Sequence, residues 1–186
     1  RFTVGEIVVP PPFLESDAWA VAELLRLAAA AGVPVRTRQA GDSFAIDPLC
    51  RARVLHPAAS ELASAADAAQ ADKRRDGRPT GQVVLDNETS LVLAVESAGR
   101  RLLLTGDIEG DALARFVASD PDTCDVLVAP HHGSRTSLPP DIARATAADW
   151  IIVSGAGAAG WREVRDAYAT AREHGGRANV IKTGAD

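Results

Sequence analysis

The sequence predicts an α/β layered architecture, on three observations. Short β-rich runs alternate with helical periodicity along the chain. Pro and Gly clusters mark many of the switches between them. At 186 residues, with 46% apolar and 24% charged side chains, there is enough chain for one packed core but not comfortably for two. Residues 1–186 are therefore read as a single domain.

Taken in order, Gly5 to Val9 reads as a strand stopped by Pro10-Pro11-Pro12, which cannot continue a ladder. Ser16 is placed as the cap of a helix running to about Ala31. Trp19, Leu24, Leu25 and Leu27 form its apolar face and Gly32 ends it. Val33 to Arg38, Phe44 to Ile46 and Arg53 to Leu55 are three further short strands. Ala58 to Gly81 is Ala-rich, then strongly charged, and reads as a surface loop. Ser90 to Val95 and Arg101 to Leu104 form a hairpin across Ser97-Ala98-Gly99-Arg100. A helix over Glu109 to Ala118 and a buried strand over Asp125 to Ala129 follow. The last elements are a helix after Pro139-Pro140, a strand over Trp150 to Val153, a helix over Trp161 to His174 and a strand over Asn179 to Lys182.

The formal net charge of −5 excludes a protein-wide electrostatic grip on nucleic acid, though not a local basic groove. Cys50 and Cys124 lack CxxC spacing. One disulfide between them is possible, but two small buried thiols is the simpler account. No run approaches the ~18 consecutive apolar residues of a membrane span, and no charged leader precedes an apolar stretch. The chain contains no Met and opens with Arg1-Phe2-Thr3-Val4 directly into an apolar run. It is expected to be a piece of a longer protein.

Three segments could carry chemistry. Thr105-Gly106-Asp107 ends an apolar strand, where a carboxylate on fixed backbone suits a metal ion. Capping of the next helix explains Asp107 equally simply, and on spacing alone is favoured. Pro130-His131-His132-Gly133-Ser134 also follows an apolar strand. Neutral imidazole is a ligand for Zn and Mn and can act as general acid or base, whereas two half-buried histidines in a turn need no function at all. In a regular strand adjacent histidines would face opposite ways. Asp86-Asn87-Glu88-Thr89-Ser90 precedes a strand and reads as a turn. The basic run Lys73 to Arg78 fits a solvated loop better than a phosphate track. His56 reads as structural, and His174 as a partner of a helix C-terminus.

In order, Val54-Leu55-His56-Pro57, Asp86-Asn87 with Ser90-Leu91-Val92-Leu93, Leu103-Leu104-Thr105-Gly106-Asp107 and Val126 to Ser134 (VLVAPHHGS) resemble the metallo-β-lactamase-like domain of the ComEC/Rec2 family of bacterial competence proteins. Gly5 to Pro10 and Gly41-Asp42 are similar as well, so the likeness covers nearly the whole chain. TGD followed by PHHGS is its most specific part.

The resemblance implies a metallo-β-lactamase-type αββα sandwich, incomplete on its N-terminal side. It implies a metal-dependent phosphodiesterase or nuclease acting on DNA during uptake. Asp107 would be a metal ligand in position to bridge two ions, and His131 or His132 a further ligand or a contact to the scissile phosphate. Asp86 or Asn87 would line the site. The cofactor would be one or two Zn or Mn ions in the intact parent, with none held by this piece alone. Partners would be single-stranded DNA and the membrane channel of the same polypeptide, in the bacterial inner membrane, with this domain on the extracytoplasmic, periplasmic side. The truncated piece would self-associate.

Two departures stand against that pattern. The family's HxDxDHxGG signature is absent and would lie upstream of Arg1. The stretch Gly155 to Trp161 also has no His where the family often carries one. Two other readings therefore remain. One is a degenerate domain that binds single-stranded DNA or a partner without chemistry. The other is a soluble hydrolase of the same fold acting on small phosphodiesters.

Overall fold

A computed structural model describes residues 3–63, 87–155, 160–169 and 178–183. The basic run Lys73 to Arg78, Asp86 and His174 lie outside the described residues. The layered α/β expectation holds. Strands β1 (Ile7–Val9) and β2 (Val35–Thr37) pair in parallel as a small sheet of their own. A larger sheet takes seven strands in chain order: β3 (Ser43–Asp47), β4 (Cys50–His56), β5 (Val92–Ser97), β6 (Arg100–Leu104), β7 (Val126–Val128), β8 (Trp150–Ser154) and β9 (Asn179–Thr183).

The large sheet changes character halfway. β3 to β6 are antiparallel neighbours, with short turns joining β3 to β4 and β5 to β6; β6 to β9 are parallel. Parallel neighbours need a crossover, and each has a helix: α2 (Gly110–Ala118), α3 (Pro139–Thr146) and α4 (Trp161–Ala169). Ala112, Leu113 and Phe116 of α2, Ile142 and Ala143 of α3 and Tyr168 of α4 share one core with Val92, Ala94, Leu103, Leu127, Ile151 and Val153. Alternate residues of β5 and β8 point into that core because strand side chains alternate in face. Fully burying a side chain such as Leu127 or Ile151 contributes about 1.5–3 kcal/mol. That core fixes where the strand ends fall.

The β5–β6 connection is the expected hairpin, closed by Ala98 and Gly99, both at positive φ. Helix α1 (Trp19–Ala30) ends at Gly32, with φ +66, as the sequence suggested. Its start and its face differ from expectation. Ala18 occupies the cap position, while Ser16 Oγ accepts the Ala18 N–H from two residues upstream. Val21 and Ala28, seven residues apart, form the inward stripe, and Trp19 and Leu27 are exposed. Leu24 and Leu25 of the expected face are half-buried, so the helix packs chiefly through smaller side chains while Trp19 and Leu27 stay outside. Cys50 is only half-buried and Cys124 buried, both as free thiols. Burial pushes the Cys124 thiol up to about 11, partly offset by a hydrogen bond with Thr146.

No helix among the described residues is long and apolar enough to cross a membrane.

Candidate functional site

The sheet's change of polarity gathers the three suggestive segments at one edge. β6, β7 and β8 run in the same direction, so their C-terminal ends lie side by side. Those ends carry Thr105-Gly106-Asp107, Pro130 to Gly133 and Ser154. β5 runs against β6, so the segment entering β5, with a 3-10 turn at Asn87–Thr89, reaches the same edge. The end of β4 brings His56 there too. In open α/β sheets, ligands bind outside the carboxyl ends of the strands.

Backbone bonds lock these loops together. Buried Thr105 donates its hydroxyl to Val128 O at 2.7 Å, and His131 N–H donates to Gly106 O at 3.1 Å. Gly106 sits at φ +56, and a Cβ there would lie 3.2 Å from Leu91 O. Only glycine lets β5's entry approach so closely in that conformation.

The histidines sit in a turn, not in the strand. β7 ends at Val128, and His131 (φ 45, ψ 48), His132 (φ 57, ψ 23) and Gly133 (φ 77) are consecutive left-handed residues. Side chains disfavour that region by about 1–2 kcal/mol each. Such strain persists only where the surroundings impose it, and it concentrates at functional sites. The turn holds the two rings apart, with centroids 6.3 Å apart and planes tilted by 59°.

Each ring has its own partners. His132 Nε2 lies 3.5 Å from Asp107 Oδ1, and its Nδ1 is 3.0 Å from Ser154 Oγ. His131 Nδ1 lies 2.7 Å from Glu109 Oε2, and Asn87 Nδ2 donates to Glu109 Oε1 at 2.6 Å. Those hydrogen bonds, Asn87's first and then His131's, hold the Glu109 carboxyl below its usual range. A carboxylate can only accept, so at 2.7 Å His131 Nδ1 is the donor in this contact and carries the hydrogen. The sequence readings are sorted accordingly. Asp107 does not cap α2, because Glu109 occupies that position. Asn87 meets the site, and Asp107 meets His132 rather than His131.

The donor chemistry fits a divalent cation in part. Two ligands of one tetrahedral ion with bonds of about 2.0–2.2 Å stand about 3.3–3.6 Å apart. The Asp107–His132 spacing falls in that range, and Ser154 steadies the far nitrogen of His132 as outer partners of metal-bound histidines do. No three His, Cys, Asp or Glu side chains among the described residues converge to hold an ion.

Sequence reasoning missed Glu109 and Ser154. Ser154 closes the third of three adjacent strand ends, which a strand-end rule would have flagged. Glu109 is two residues past TGD, but its role depends on the left-handed turn, which no sequence pattern announces.

His56, read as structural, is buried beside this edge. It hydrogen-bonds Ser90 O through Nδ1 at 2.8 Å. Its Nε2 lies 3.0 Å from Glu61 Oε2, at ion-pair distance though off hydrogen-bond alignment.

No protein-family model and no curated protein matches the chain. Among solved structures it is similar to a Thermotoga maritima protein described as a candidate Zn-dependent hydrolase of the metallo-β-lactamase superfamily. That similarity has a TM-score of 0.39 and 12% identity, covering 81% of this chain and 74% of that one.

Proposed function

We propose that the chain is the later part of a metallo-β-lactamase-type, metal-dependent phosphodiesterase domain of the ComEC/Rec2 kind, acting on DNA during uptake. The observation that carries it is the Asp107–His132 pair, 3.5 Å apart at the ends of neighbouring parallel strands. Two motifs 25 residues apart in sequence present a carboxylate and an imidazole to one point, at the spacing of two ligands of one ion. Bound Zn or Mn would supply an activated water and neutralise charge developing on phosphorus. Asp107 and His132 would hold the ion, Ser154 would fix the His132 ring, and His131 would face the phosphodiester. The remaining ligands would come from the upstream HxDxDH segment that the resemblance calls for, because catalytic zinc usually takes three protein ligands. In this reading the partners are single-stranded DNA and a membrane channel on the same polypeptide, with the domain on its periplasmic side.

The test is metal content by elemental analysis after dialysis against Zn and Mn, on this chain and on one extended upstream. The extended chain is expected to retain about two ions, and Asp107→Asn or His132→Ala to remove at least one. If neither chain retains metal, the nuclease reading fails in favour of a domain that binds DNA or a partner without chemistry.

A further inference from the structure

The two histidines are chemically alike and adjacent, yet the left-handed turn gives them partners of different kinds. His132 meets a carboxylate at its Nε2 and a hydroxyl at its Nδ1. His131 meets a carboxylate at its Nδ1, and that carboxylate is itself held by the Asn87 amide. The Asn87–Glu109–His131 chain draws on three elements: the turn before β5, the start of α2 and the turn after β7. Free imidazole of histidine prefers its hydrogen on Nε2, so holding it on Nδ1 requires a dedicated acceptor. Glu109 supplies one. The His131 side chain keeps about a third of its surface exposed (35%), so the ring remains open to a ligand.

We propose that Glu109 is a positioning residue, steadied by Asn87, which fixes His131 through Nδ1 and reserves that ring for a substrate phosphate while His132 serves the metal. The division of labour rests on the reading of the site as a metal-dependent phosphodiesterase centre. The positioning by Glu109 does not, because it is already made in the metal-free chain. Anchored in this way, His131 offers Nε2 to the substrate at a fixed angle. Outer partners of this kind typically change binding or activity about tenfold to a hundredfold when removed.

The test is long-range proton–nitrogen NMR of the histidine rings in the metal-free chain, followed by addition of Zn²⁺ alone and inorganic phosphate alone to the chain extended upstream, which in this reading carries the remaining metal ligands. In the wild type, His131 is expected as the Nδ1–H tautomer. Glu109→Ala is expected to convert it to the Nε2–H form, and Glu109→Gln, which keeps an acceptor, to restore Nδ1–H. Asn87→Ala, the milder change, is expected to shift the balance part of the way, and it serves if Glu109→Ala fails to fold. Zn²⁺ is expected to move the His132 resonances and spare those of His131. Phosphate is expected to move His131, with about tenfold weaker binding in Glu109→Ala.

An unchanged His131 tautomer in Glu109→Ala overturns the positioning role, and one in Asn87→Ala overturns Asn87's part in it. Equal Zn²⁺ responses at both rings, or no phosphate response at His131, overturn the division of labour. Absence of any Zn²⁺ response with the expected tautomers removes the metal centre and leaves Glu109 as the positioning residue.

Discussion

His131, His132 and Gly133 occupy consecutive left-handed positions, and the third shows most directly what the turn costs. A Cβ on Gly133 would lie 2.6 Å from Val153 Cγ1, at φ +77. Gly133→Ala is expected to destabilise the fold by about 1–3 kcal/mol and to loosen the His132–Asp107 approach. A denaturant midpoint that stays at the wild-type value would show the turn to be unconstrained. At this scale the sequence was partly legible. Asp107 and the histidine pair were visible because each follows an apolar run, and a strand end is a fixed place for a side chain. The choice between the histidines was not visible, because strand alternation says nothing once the backbone turns left-handed. Asn87 read as a turn residue, and it is one; that a turn residue also holds a carboxylate 22 positions away is a tertiary fact.

Among the elements, the β5–β6 hairpin was the most legible, since its two apolar runs flank a Gly-containing break. Its turn contains a misfit. Ala98 sits at φ 49 ahead of Gly99 at φ 74, and two-residue turns with both residues left-handed favour Asn at the first position. Ala98→Asn is expected to stabilise the protein by about 0.5–1 kcal/mol, read as a higher melting temperature. An unchanged or lower value would mean the turn has a different backbone in solution. Helix α1 was less legible, because a largely aliphatic helix offers several possible faces and packing chooses among them. The segment after β4 carries a pH-dependent hub. Burial raises the Glu61 carboxyl, but hydrogen bonds from Ala58 N–H and Arg115 and the charge of His56 outweigh it, leaving it below the ordinary carboxylate value. A carboxyl lowered by folding contributes stability above its unfolded pKa, and that contribution disappears as pH falls through the folded value. Glu61→Gln is therefore expected to lower stability by about 1.5–3 kcal/mol near neutrality, with the gap closing as pH falls through the lowered folded value. Melting curves of both proteins across that range check it, and a gap that persists in acid would contradict the assignment.

For the whole molecule, the layered architecture was legible from the alternation of strand and helix signals alone. The order of the seven strands was not, nor was the switch from antiparallel to parallel at β6, because pairing partners are chosen by tertiary packing. That switch is what collects the strand ends into one edge, so the site as a place became visible only with the fold. The same topology has a consequence for the smaller sheet. β1 and β2 are three residues each and, among the described residues, pair only with one another. A two-stranded sheet standing alone is marginal in water, so it should open far more often than the seven-stranded sheet does. In deuterated buffer, the amides of Ile7 and Arg38, which donate across the small sheet to Pro34 O and Val9 O, are expected to exchange orders of magnitude faster than those of Leu103 and Leu127. The protein would then keep two clocks, a fast one for the strands around α1 and a slow one for the sheet that carries Asp107 and His132. Equal protection at both would mean that the small sheet opens only when the whole chain does.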